Sequence, residues 1–143
     1  MTMKIYRVTE CSANLIEVLE QLLPQLSSSA TVPSEEYIES MLNNENFYLF
    51  VAEHEGAIVG MRSLVGVDVA TGRKAWIEDV VVDSRARGLH IGQALVEEAK
   101  VCAKDVGAKK IYLTSNPSRK AAHALYKKCG FEEYDTTVFR VKG

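Results

Sequence analysis

The stretch "WIEDVVVDSRARGLHIGQAL", residues 76–95, constrains the fold more than any other part of the chain. Its first part is too continuously apolar to alternate between a wet and a dry face, so it reads as a central strand covered on both sides. Two basic residues follow, Arg85 and Arg87, and then two glycines, Gly88 and Gly92. From the second of them on, with Ile91 just before it, Leu95, Ala99, Cys102 and Val106 recur at helical spacing. A buried strand running through a glycine turn into a helix places the chain in the α/β class. It also leaves free backbone N–H groups at the positive end of a helix dipole, which is a ready anion site.

The remaining elements follow from local pattern. "KIYRV" alternates like a short strand. Leu15, Val18, Leu19, Leu22, Leu23 and Leu26 form an amphipathic stripe after Ser12. Ser34 can cap a second helix carrying Tyr37, Ile38, Met41 and Leu42. "FYLFVAEHEGAIVGMRSLVGV" reads as a hairpin turning at Glu55-Gly56, and "VATGR" as the next turn. After Gly107 comes a strand at "KKIYLTS"; Asn116-Pro117 opens a last helix that ends at Gly130, and "GFEEYDTTVFRV" supplies closing strands. The expected order is βααβββαβαββ: a single domain over residues 1–143, with a mixed sheet and helices on both faces.

Composition narrows the function. With 47% hydrophobic and 25% charged residues the chain is globular. No segment reaches the roughly 20 apolar residues of a membrane span, and the first ten residues lack the pattern of a secretory signal. The three cysteines, Cys11, Cys102 and Cys129, sit in no CxxC or Cys/His cluster, so neither a metal site nor a disulfide framework is expected, and a cytoplasmic setting fits. The formal charge of −2 is unevenly divided. Residues 1–55 hold two bases against nine acids, a net of −7, leaving fifteen bases against ten acids, +5, for the rest. An anion in the C-terminal half and a cation in the N-terminal half suit that division. Nucleic acid does not, since no basic stripe is interleaved with aromatics.

Three phosphate-binding loops can be compared with the glycine turn. A P-loop requires Lys-Ser/Thr after its second glycine, where Gln93-Ala94 stand here. The dinucleotide fingerprint requires GxGxxG, which Gly88 and Gly92 do not fit. The third is the R/Q-x-x-G-x-G/A pyrophosphate loop of acyl-CoA-dependent N-acetyltransferases. Arg87-Gly88-Leu89-His90-Ile91-Gly92 matches it except that His90 replaces the first glycine, which requires an ordinary L-residue backbone angle there. Downstream, "NPSRKAAHALYKKCGF" has the form N…A…LY-x-x-x-GF, filled by Asn116, Ala122, Leu125, Tyr126, Gly130 and Phe131. On these two motifs, the element order and the "IEDVVVD" strand, the chain resembles the GNAT superfamily along essentially its whole length.

That resemblance implies acetyl-CoA as co-substrate and direct attack by an acceptor amine. The amine must lose a proton before attack, the resulting oxyanion needs donors, and the departing thiolate needs a proton. By resemblance Glu78 is the candidate base, preferred to Asp79, which strand alternation turns to the opposite face. An acid among "WI" and "VVV" is also expected to have a raised pKa. Tyr126 is the candidate acid. The main chain over Val80, Val81 and Val82 is implied to hold the pantetheine arm. Arg87, Gly88, Leu89, His90, Ile91, Gly92, Gln93 and Ala94 are implied to cradle the pyrophosphate, with Asn116 reaching the pantetheine. Trp76 is open between core and acceptor wall. His54 and His123 are expected on the surface. The acceptor is expected to enter over residues 26–46, and the acids there (Glu35, Glu36, Glu39) favour a small cationic amine: a polyamine, an amino-sugar or an amino-acid-like amine. Two other functions remain open, a non-catalytic acyl-CoA-binding module and a peptide or protein N-acetyltransferase. A homodimer is compatible with all three.

Overall fold

The computed structural model describes residues 3–143, so the first two positions of the expected domain lie outside it. The elements are β1 (Met3–Val8), α1 (Ala13–Leu26), α2 (Glu35–Asn43), β2 (Phe47–His54), β3 (Ala57–Val69), β4 (Gly72–Val82), α3 (Ile91–Asp105), β5 (Lys110–Tyr112) and α4 (Lys120–Lys128), with one 3-10 turn at Ser84–Ala86. The strands lie in sequence order in one five-stranded sheet. The first four are antiparallel and β4 pairs β5 in parallel, with α3 as the crossover.

Local chemistry explains most boundaries. The Ser12 and Ser34 hydroxyls accept from the backbone N–H groups of Leu15 and Tyr37, capping α1 and α2. Glu55 and Gly56 both take positive φ, 50° and 80°, as a two-residue hairpin turn requires. Gly107, at φ 83°, closes α3.

Two cores flank the sheet. On one side Leu15, Val18, Leu19, Leu22, Ile38 and Leu42 of α1 and α2 bury against Leu49, Val51, Met61 and Val81. On the other, Ala99, Cys102 and Ala103 of α3 pack on Leu64, Ala75 and Ile77, and Tyr126 and Cys129 extend that layer through Val96. Gly60 makes the second contact close: a Cβ there would lie 3.1 Å from Leu95 and 3.3 Å from Ile91. The α/β class, the mixed sheet and the two helical faces agree with the sequence reading.

The C-terminal end differs. The expected closing strands do not form, and residues 131–143 contain neither strand nor helix. A strand needs both backbone partners and a buried face. Here β5 contributes only three paired residues, and Val138, Phe139 and Val141 stay 70%, 90% and 90% exposed. The last helix also begins at Lys120, not beside Asn116, whose Oδ1 accepts from the Ser118 N–H and hydroxyl at 2.9 and 2.7 Å in a local turn ahead of it. No helix among the described residues is long and apolar enough to cross a membrane.

Candidate functional site

The site grows from two irregularities of β4. Its ladder with β5 stops at Trp76 opposite Tyr112, so the edge from Ile77 to Val82 has no strand beside it on that side. The polar backbone groups along such an edge can receive an extended ligand. Against β3, Glu78 pairs with Ser63 and Val81 with Met61, so Asp79 and Val80 together face Arg62. This is a bulge, with Asp79 at φ 51°. Simple alternation therefore holds up to Glu78 and fails at Asp79, where the sequence reading had extended it.

Next to the open edge lies a cleft of about 670 Å³ lined by Val80, Val81, Val82, Arg87, Gly88, Gly92 and Tyr126. Its other wall comes from Ser118, Arg119, Lys120 and Leu125, with Gln25 of α1 reaching over. A smaller adjoining hollow adds His90, Ile91 and Gln93. Leu89 is 40% exposed and lines neither, nor do Ala94 and Asn116. Arg119 and Lys120, readable from sequence either as phosphate contacts or as solvated cations, thus join Arg87 around one cleft. Gln25 was not foreseen: its Oε1 accepts from the Ser84 N–H at 2.8 Å, a contact 59 residues away in sequence.

The loop is built for close approach. Gly88 has φ 86°, and a Cβ there would meet open space. At Gly92 a Cβ would sit 3.2 Å from Leu125, so glycine lets α3 and α4 converge at the cleft. Upstream, the fully buried Asp83 anchors the loop by accepting from the Arg85 N–H at 3.0 Å and its guanidinium at 2.8 Å. Those bonds hold its pKa down at about 2. The depressed value means the anchor is complete above the ordinary range near 3.8 and is lost as pH falls through about 2.

His90 corrects one expectation. It adopts φ 61°, ψ 24°, the left-handed region, not an ordinary L-residue angle, and its side chain makes no cap hydrogen bond to α3. A non-glycine residue there costs about 1–2 kcal/mol, against roughly 0.5–1 kcal/mol of extra chain entropy for glycine. His90→Gly should therefore be neutral to slightly stabilising, by up to about 1 kcal/mol, with the transition midpoint unchanged or raised by a few degrees. A loss of stability on thermal melting would show that the imidazole makes a contact that outweighs the strain.

Glu78 shares a sheet face with Ser63 and Leu49, the α1/α2 side, while Ile77 faces α3. It does not line the cleft; it stands just before the bulge, at the mouth of the opening between β4 and β5. Burial, then the neighbouring Asp79 charge, raises its pKa above the ordinary carboxylate value, and burial raises that of Asp79. Tyr126 reaches the cleft from the α3/α4 side, 8% exposed and edge-on to Phe131 at 6.3 Å. Burial raises its pKa. A carboxyl on one face and a phenol on the other thus flank the gap in the sheet. His54 and His123 are partly buried, less exposed than expected: the His54 side chain is 15% exposed, and His123 Nε2 is buried without a partner.

Comparison with known proteins gives the family and the fold. The model of the acetyltransferase (GNAT) family matches residues 15–131. The chain is 30% identical to human N-acetyltransferase 8 over 134 residues, 84% of this chain and 59% of that protein. It therefore spans somewhat more than half the length of that relative. It is 31% identical to glucosamine 6-phosphate N-acetyltransferase of Arabidopsis thaliana over 119 residues, covering 77% and 78% of the two chains. A crystal structure of glucosamine-6-phosphate N-acetyltransferase from Arabidopsis thaliana superposes with a TM-score of 0.81 over 99% of each chain, at 28% identity. Aminoglycoside N(6')-acetyltransferase type 1 of Stenotrophomonas maltophilia is 26% identical over 83% of this chain and 81% of its own.

Proposed function

Because the chain belongs to the acetyltransferase (GNAT) family, we propose that it transfers an acetyl group from acetyl-CoA to a primary amine of a small acceptor, by direct attack in a ternary complex. The observation that carries this reading is the cleft itself: an unpaired β4 edge at one end and a glycine turn, helix N-terminus and three cations at the other. Bound there, acetyl-CoA supplies an acetyl carbonyl activated as a thioester.

The chain's own groups divide the remaining work. The first-turn N–H groups of α3 and the N–H of Gly88, which carries no side chain and borders open space, face the diphosphate. Arg87, Arg119 and Lys120 add charge on the same cleft. The β4 main chain at Val80–Val82 pairs with the extended arm. Glu78, directly or through water, takes the proton that the ammonium must lose. As the N–C bond forms and the C–S bond breaks, Tyr126 gives its phenolic proton to the sulfur, and the second proton that the nitrogen loses on becoming an amide returns through water to the phenolate. A buried phenol that resists ionisation keeps that proton at neutral pH. Asn116, which lies outside the cleft and holds Ser118 in its wall, acts by positioning.

Relatives named for glucosamine 6-phosphate and aminoglycosides support a small amine-bearing acceptor. Entry over α2 and the preceding loop suits a cation, since Glu35, Glu36 and Glu39 are exposed there. Glu35 and Glu36 also lie in the first turn of α2, where the helix dipole stabilises them regardless of substrate. Three unpaired cysteines support a reducing, cytoplasmic setting.

The test is thiol release from acetyl-CoA across a panel of amines. Release with at least one amine is expected; coenzyme binding without release for any would leave a non-catalytic binding module instead. Tyr126→Phe should lower kcat by about 10- to 100-fold with the coenzyme Kd little changed. An unaltered kcat would mean that water, not Tyr126, protonates the sulfur.

A further inference from the structure

The face of β4 that carries Glu78 also carries an aromatic wall that neither core uses. Trp76 of β4 stands in register with Tyr112 of β5, and their rings stack with centroids 5.1 Å apart at 29°. Tyr134 continues the row, 5.8 Å from Tyr112 and 69% exposed. Register fixes the direction of this wall. Trp76 pairs with Val65, which pairs with Phe47, so its side chain stands on the α1/α2 side of the sheet. Ala75 and Ile77 on either side of it bury against α3 instead.

The two helices on that side do not reach it. Val81 is the β4 residue buried in the α1/α2 core, and Phe47 marks the core's margin. From Lys74 to Glu78 this face of β4 is therefore left open, with three partly exposed rings along it. Packing does not require that composition; a half-exposed strand face is ordinarily polar. Trp76 and Glu78 are two residues apart on one face, before the bulge, so their Cβ atoms lie about 7 Å apart.

We propose that Trp76, Tyr112 and Tyr134 form the subsite for the body of the acceptor, and that the acceptor is a saturated ring amine: an amino sugar or an aminocyclitol. Such a ring presents a face of C–H bonds that packs on the π-surface of an indole or phenol, while its amine projects from the rim toward Glu78. A linear polyamine has no such face; its ammonium groups would meet the rings only by cation–π contact, as Lys74 Nζ already does 5.8 Å over Tyr112, and otherwise depend on the acids of α2. The inference rests on the acetyl-transfer reading for the identity of the reacting group; the wall itself stands on geometry alone.

The chain's single tryptophan makes the wall directly observable. Intrinsic fluorescence is recorded while glucosamine, 2-deoxystreptamine or spermidine is titrated in, without acetyl-CoA. Saturable change with either ring amine, at a concentration about tenfold or more below any response to spermidine, is expected; the response to each ring amine distinguishes sugar from cyclitol. In thiol-release assays, Tyr112→Ala and Trp76→Leu should raise KM for the responding ring amine about tenfold, with kcat and the acetyl-CoA KM nearly constant. Fluorescence unmoved by both ring amines, or equal KM shifts for ring and linear amines, overturns the subsite. Should fluorescence respond to a ring amine while no amine supports thiol release, the subsite stands and the transferase reading fails. Should release proceed with fluorescence silent, the reverse holds. Circular dichroism and coenzyme affinity confirm that each variant is folded.

Discussion

Replacing Glu78 by glutamine should lower kcat by about 10²–10⁴-fold while leaving the protein as stable as before, or slightly more so. The rate loss follows from the proton that the acceptor ammonium must shed: glutamine keeps the size and hydrogen bonding of the side chain but cannot accept it. The stability half follows from the raised pKa. A carboxyl whose pKa rises on folding favours the fold only below its unfolded value, and that advantage is gone once pH passes the folded value. At neutral pH the ionised Glu78 therefore opposes folding, through desolvation first and the charge of Asp79 second. Removing the charge relieves both. In the native enzyme kcat should fall on the acid side through a pKa above the usual carboxylate range, and that limb should vanish in Glu78→Gln. A variant with unimpaired kcat, or one whose pH profile keeps the same limb, would transfer the role to Asp79, which the bulge holds at the next position. Asp79→Asn then becomes the variant that must lose activity.

The second large effect lies away from the cleft. Glu98→Ala should destabilise the fold by about 3 kcal/mol, lowering the thermal midpoint by roughly 10 °C. Arg62 of β3 is fully buried beneath α3; its guanidinium lies 4.2 Å over the Phe50 ring and pairs with Glu98. Nε and Nη1 have no partner, so Glu98 carries most of the compensation for that charge. Desolvation already pulls the Arg62 pKa down to about 10. Truncating Glu98 leaves a buried cation that cannot shed its proton cheaply at neutral pH and is at best partly solvated. Because the Glu98 side chain is itself 27% exposed, some water can reach the vacated place, which puts the cost at the lower end of what breaking a buried pair entails. The double variant Arg62→Met/Glu98→Leu should regain most of the loss, since an apolar pair of similar volume has no charge to desolvate. Calorimetric melting of the single and double variants checks both. If the double variant is as unstable as the single one, packing around Phe50, and not the orphaned charge, governs this part of the core.

Much of the architecture was legible in the chain because it rests on short-range chemistry. Serines at positions 12 and 34 start α1 and α2, Glu55-Gly56 turns the hairpin, and Gly107 closes α3. Each depends on groups within four residues of one another. Among the cleft-lining residues, Arg87, Gly88 and Gly92 were legible for a similar reason, since a glycine turn at a helix N-terminus is a local pattern, whereas Val80–Val82 and Tyr126 were expected only from the resemblance to the family. The C-terminal segment misled the reading. "TTVFRV" alternates as a strand does, but a strand's stability comes from a neighbour, and none is hydrogen-bonded to it.

What the sequence by itself determined is the class of the fold, the strand–glycine–helix unit, and the identity of the groups able to meet an anion, because backbone conformation and capping are decided between near neighbours. Only the tertiary structure decided that β4 bulges at Asp79 and parts from β5 after Trp76. It alone placed Gln25, Arg119 and Lys120 around one cleft, and left His90 in a left-handed conformation. Those outcomes depend on register between strands and on helices brought together from distant parts of the chain. Long-range contacts of that kind leave no periodic trace in the residues that make them.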